Sequence, residues 1–139
     1  MTAEELVQSR IDEAGFQLAK AFEGATEEQL NDKPVSSMMS IREQAEHLCE
    51  CYVAAEKLSR GESHDWGSYA APSGSWEDLA AQFWALRDKA AKALITADTD
   101  TTLAEACAFL VEHDAYHVGQ IAAIRIAQNA GWNAYSIYR

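Results

Sequence analysis

His113 and His117 stand four residues apart in FLVEHDAYHVGQIAAIR, a stretch that otherwise has the pattern of an amphipathic helix. Side chains at i and i+4 share a helix face, so the two imidazoles can aim at one ion. A third imidazole, His47, sits near the middle of another helical pattern, IREQAEHLCECYVAAEKL, and can add a nitrogen from a second helix. Three histidines with no obvious fourth protein ligand match an open site, where water or substrate completes the shell. Imidazole suits zinc, nickel, iron and copper alike. A plainer reading stands beside this one. Core-facing histidines are often neutral and satisfied by one partner each, because an unsatisfied buried polar group costs roughly 1–3 kcal/mol. The spacing alone leaves both readings open.

Two other metal motifs do not fit. HDAYH has the outline of the H-E-x-x-H zinc-protease helix, but Asp114 stands where the catalytic glutamate belongs and is one methylene short. A di-iron bundle requires two Glu-x-x-His motifs and two further glutamates. Asp114-x-x-His117 is half of one such motif, and Glu43 lies four residues from His47 rather than three.

Several neighbours could serve the site. Cys51, four residues after His47, is either a fourth ligand or a small core residue. Glu43 and Glu50 flank His47 and can orient ligands or act as a base, or simply belong to a solvated face. Gln120 is one turn beyond His117 and can donate to a bound oxygen or within the core. Arg125 suits pairing with an acid more than gripping a substrate. Cys49 and Cys107 receive no role.

The elements that must position these groups read as four amphipathic helices. The first opens on a Thr2/Glu5 capping box and carries Val7, Ile11, Ala14, Leu18 and Ala21 at helical spacing before Gly24. The second opens on Ser40 and Glu43, carries Ile41, Ala45, Leu48, Tyr52, Ala55 and Leu58, and stops at Gly61. The third starts at Ser75 with the stripe Trp76, Leu79, Phe83, Leu86, Ala90 and Leu94. The fourth runs from about Thr102 to Asn129 with Ala106, Leu110, His113, His117, Ile121 and Ile124 on one face. The only hint of a strand is the tail, WNAYSIY.

This pattern predicts an all-α fold, a four-helix bundle forming a single domain over residues 1–139. The link GESHDWGSYAAPSG, residues 61–74, is longer than the roughly 2–8 residues an antiparallel turn needs. It suits a crossover that leaves the second and third helices parallel. Its His64, Asp65, Trp66 and Tyr69 can fold over the site as a lid or pack on the bundle end.

Composition narrows the function. With 22 acidic against 11 basic residues the formal charge is −11, and the basic residues are scattered. That surface repels a phosphate backbone and an anionic membrane, so neither nucleic acid nor membrane is an expected partner. No apolar run reaches the length of a membrane span, and the N-terminus lacks the features of a secretory signal. Three cysteines make no disulfide framework. A cytoplasmic location is the expectation.

Taken together, SIREQAEH opening the second helix and HDAYHVGQI in the fourth resemble the DinB/YfiT-like metal-binding bundles. The resemblance covers essentially the whole chain. It implies His47, His113 and His117 as ligands of a divalent metal, commonly zinc or nickel. It also implies parallel second and third helices, and a homodimer, for which the aromatic tail GWNAYSIYR offers a surface. Family members of known activity depend on small thiols: bacillithiol transferases and a mycothiol-dependent maleylpyruvate isomerase. The resemblance thus implies a transferase or isomerase acting on a small-molecule substrate with a low-molecular-weight thiol. The alternatives are a hydrolase using metal-bound hydroxide and a non-catalytic metal-binding protein of the stress response. No catalytic residue beyond the three histidines is assigned.

Overall fold

The computed structural model describes residues 1–97 and 99–139. Its helices are α1 (Ala3–Phe22), α2 (Glu27–Asn31), α3 (Ile41–Leu58), α4 (Trp76–Ala97), α5 (Asp100–Cys107) and α6 (His113–Gln128). A π-helical turn, Ala108–Glu112, joins α5 to α6 into one rod, and a 3-10 turn, Ala134–Ile137, closes the chain. The four long rods form an all-α bundle, with no strand among the described residues. The tail is therefore a 3-10 turn and not a strand.

Local chemistry starts each helix where the sequence predicts. Thr2 and Glu5, and Ser40 and Glu43, form reciprocal capping boxes that satisfy backbone N–H groups at both helix starts. Ser75 caps α4 through a bond from the Asp78 N–H to its hydroxyl. Gly24 and Gly61, both at φ +73°, take the left-handed conformation that ends α1 and α3 at little steric cost. The sequence reading passed over α2, although Thr26 and Gln29 make the same box and Leu30 is buried. Five residues are too few for periodicity to show.

Contacts between ends set the topology. Arg42, at the start of α3, donates to the Gly74 carbonyl just before α4. Tyr52 meets Phe83 midway, and Arg60 lies near Thr96 at the far ends. The helices α3 and α4 are therefore parallel, as the long link predicts. Gln44 and Tyr52 of α3 meet His117 and Asp114 in reverse order, so α6 runs antiparallel to α3. Ile11 lies by Leu110, and Ala21 by Arg125, so α1 runs with the fourth rod.

The core is a single apolar cluster that includes Ile11, Leu18, Leu48, Tyr52, Phe83, Leu94, Leu110 and Ile121. Two predicted core positions are wrong in an instructive way. Arg87, not Leu86, holds the central line of α4, and Asp114, not His113, holds that of the fourth rod. The two form a buried ion pair, Nε to Oδ2 at 2.9 Å, and Tyr52 Oη donates to the other carboxylate oxygen at 2.7 Å. A buried charge is tolerated when it is both paired and hydrogen-bonded, and here Arg87 also donates to the Ile11 and Leu110 carbonyls. Burial pushes the Asp114 pKa up, against the pull of Arg87 and Tyr52. Leu58, predicted in the stripe of α3, is exposed beyond the end of the packed region.

The tail packs on α1. Ile137 is buried, and Arg139 pairs with Glu13 at 2.9 Å while its guanidinium lies over the Phe16 ring. Among the described residues no helix is long and apolar enough to cross a membrane.

Candidate metal centre

The antiparallel contact between α3 and α6 brings His47, His113 and His117 together, with one ring nitrogen from each within 4.8 Å of the others. The Nε2 atoms of His113 and His117 are 3.2 Å apart. Two nitrogens bound to one tetrahedral zinc at about 2.0–2.1 Å would stand roughly 3.3 Å apart. The spacing of this pair thus matches an edge of such a site. His117 is 1% exposed, whereas His47 and His113 are half-buried and face a cavity.

The tautomer of His117 follows from its surroundings. Gln44 Nε2 donates to the Met39 carbonyl, which fixes its amide so that Oε1 faces His117 Nδ1 at 2.8 Å. Nδ1 must then carry the proton, leaving the Nε2 lone pair aimed at the cluster. A hydrogen bond of this kind on the outer nitrogen orients a metal-binding imidazole. Burial, followed by the neighbouring His113 and His47, holds the His117 pKa down at about 3. Burial and then His47 lower that of His113 as well. Both rings are therefore neutral at pH 7, the form in which imidazole binds metal. Two neutral imidazoles with a third beside them form a nitrogen donor set that suits a divalent metal ion.

The flanking candidates separate cleanly. Cys51 Sγ lies 3.6 Å from His47 Nε2 but is not part of the three-nitrogen cluster, and burial pushes its pKa up to about 12. It is a neutral thiol in the cavity wall. Glu43 is committed to the α3 cap and to Lys33. Glu50 accepts from His64 Nε2 and from the Gly67 N–H, so it anchors the 61–74 link. Gln120 donates to Tyr116 Oη near the surface. Among the described residues Arg125 pairs with no acid; it donates to the Ala21 and Glu23 carbonyls and so covers the open end of α1.

The cavity beside the histidines has a volume of about 370 Å³ and is lined by His47, Cys51, Trp66, Ala108, Phe109 and His113. Cavities of similar size lie elsewhere on the bundle, including one of about 380 Å³ between α1 and α4. Volume alone does not select a site; contact with the histidines does. The link that the sequence offers as a lid and a turn within the fourth rod both contribute to its walls. Trp66 comes from the link, which thus reaches the site, and Phe109 from the π-helical turn. That turn widens the rod just before His113, whose N–H bonds to the Ala108 carbonyl five residues back. Such turns often mark functional sites, and nothing in the spacing of AFLVE announces one.

Comparison with curated proteins and with solved structures gives no match. A family model described as the DinB superfamily matches residues 10–121, from α1 through the second histidine of α6. That span holds the four helical rods and all three histidines, and the chain belongs to the DinB superfamily.

Proposed function

We propose that His47, His113 and His117 are the ligands of one divalent metal ion, zinc or nickel, and that the chain is a metal-dependent transferase or isomerase using a small thiol. The observation that carries this reading is the convergence of three nitrogens from two helices at the floor of a cavity, with the inner ring of His117 held by Gln44. Bound there, the ion would supply a Lewis acid able to keep a thiol of ordinary pKa, about 8.5, deprotonated at neutral pH.

The residues around it do the rest. Gln44 keeps the His117 Nδ1 proton in place, so Nε2 stays a donor. Cys51 lines the cavity beside His47, outside the cluster of three nitrogens. Trp66 and Phe109 give the cavity an aromatic lining. The acids that a hydrolase could use as a base are occupied: Glu43 by the cap, Glu50 by the link and Asp114 by Arg87 and Tyr52. A bound divalent ion would lower the pKa of a thiol and of water alike, so the preference for sulfur chemistry over hydrolysis rests on the resemblance to thiol-dependent members of the family.

Elemental analysis of untagged protein, wild type beside His113→Ala/His117→Ala, tests the metal. About one ion per chain, lost in the variant, is the expected result, whereas no uptake after incubation with zinc or nickel would end the reading. Consumption of a small thiol across a panel of electrophiles then tests the reaction. The proposal includes a homodimer formed through the tail, where Tyr135 and Tyr138 are 80% and 63% exposed. A monomeric mass at micromolar concentration would remove it.

A further inference from the structure

The walls of the cavity beside the histidines define what can enter it. Apart from His47 and His113, its lining is Cys51, Trp66, Ala108 and Phe109. No lysine, arginine or carboxylate is among these residues, and the chain as a whole carries −11. An anionic group would find no counter-charge from the side chains there, and the surrounding field would repel it. A volume of about 370 Å³ is at the small end of the roughly 300–1,000 Å³ that small-molecule sites occupy.

Trp66 is held in a way that its packing alone does not require. The residue is 57% exposed, a large apolar surface left in water. Yet its backbone is clamped: the Glu50 carboxylate accepts from the N–H of the next residue, Gly67. The same carboxylate accepts from His64 Nε2 at 3.0 Å, and Lys57 Nζ donates to His64 Nδ1 at 3.1 Å. In that arrangement His64 Nδ1 accepts from the lysine and Nε2 donates to the carboxylate. Its side chain is 3% exposed and meets the Trp66 ring edge to face, at 5.0 Å between centroids. A mostly buried polar clamp thus holds an exposed indole against the cavity that Phe109 also lines.

We propose that this cavity binds an uncharged, apolar, ring-sized group of the second substrate, and that Trp66 and Phe109 select it. The assignment to a second substrate rests on the metal reading above; the binding preference rests on the walls. A planar ring entering beside Trp66 covers the indole and offers an aromatic partner to Phe109, in the offset or edge-to-face arrangements that aromatic groups favour. The polar part of a thiol cosubstrate would then lie outside this pocket.

The test uses two fluorinated probes of similar size, neutral 4-fluorobenzyl alcohol and anionic 4-fluorobenzenesulfonate. Fluorine NMR follows their binding to the full chain, both zinc-loaded and metal-free. In the metal-free chain, where no cation stands beside the walls, the alcohol is expected to bind at least about tenfold more tightly than the sulfonate. Trp66→Ala, a change at an exposed link residue, should weaken the alcohol roughly three- to tenfold while zinc content stays the same. Ala108→Lys, which places a cation at the exposed lip, should bring the sulfonate to within about threefold of the alcohol. Equal binding of the two probes to the metal-free wild type would overturn the proposal, as would indifference to Trp66→Ala. A chain that takes up no zinc yet binds the alcohol through Trp66 would sink the metal reading and keep the pocket. A zinc-loaded chain insensitive to Trp66→Ala would do the reverse.

Discussion

Gly15 in α1 should resist a substitution that helix propensity favours. A Cβ built there would lie 2.8 Å from Arg87 Nη1 and 3.3 Å from Cζ. On an open helix, Gly→Ala stabilises by about 1 kcal/mol. Here the added methyl can be accommodated only if the guanidinium moves by several tenths of an ångström. That guanidinium is pinned by Asp114 at 2.9 Å and by the Ile11 and Leu110 carbonyls at 2.8 and 3.2 Å. Stretching one hydrogen bond to a charged group costs roughly 1.5–3 kcal/mol. The net expectation is that Gly15→Ala destabilises by about 0.5–2 kcal/mol, lowering the urea midpoint by roughly 0.2–2 M at an m-value of about 1–3 kcal/mol/M. Arg87→Met alone should cost about 3–5 kcal/mol, because it leaves Asp114 buried without its cation. In that background the clash is gone, and Gly15→Ala should recover its ordinary stabilising sign. The double-mutant cycle then gives a coupling near 2 kcal/mol. If Gly15→Ala stabilises the wild-type chain by about 1 kcal/mol, the guanidinium yields freely and the reasoning about a pinned buried network is wrong.

Three further outcomes follow from the site. Gln44→Leu removes the acceptor for His117 Nδ1 and should weaken zinc binding about 10–100-fold in a chelator competition; unchanged affinity would show that the bond serves packing alone. In the metal-free chain, unfolded histidine takes up a proton near pH 6.5, while folded His117 resists until about 3. Stability from this group is thus complete above pH 6.5 and lost as pH falls toward 3. After allowance for screening this is about 1–2 kcal/mol by pH 5, and a His117→Ala chain should show a shallower decline in urea midpoint. Cys49 and Cys51 are 0% and 3% exposed, with burial holding their thiols at about 11 and about 12. In native protein at pH 8 a thiol reagent should therefore react quickly with Cys107 alone, and with all three cysteines only in denaturant; a second fast thiol would show that the cavity wall opens.

What the sequence made legible, and what it hid, follows from the range of each interaction. Capping boxes at Thr2 and Ser40 and the stops at Gly24 and Gly61 are local chemistry, and all four hold in the fold. The three histidines could be found because i, i+4 spacing on one helix is a local signal, and His47 stood on the edge of a clear apolar stripe. Asp114 and Arg87 escaped because a hydrophobic pattern assigns core slots to apolar residues, and a charge pair spread over two helices reads as two solvated side chains. Opposite charges, each at a core-line position of a different amphipathic helix, are the signal that would have found them: Arg87 follows Phe83 by four, and Asp114 follows Leu110 by four. The pair and the site are connected through Leu110. Its carbonyl, within the π-helical turn, accepts from Arg87, and the same turn presents Phe109 to the cavity and ends where His113 begins. One buried cation therefore grips the widened turn from which a cavity wall and the first α6 histidine both emerge. The registry of the three-histidine cluster rests on a core interaction that carries no metal-binding signature of its own.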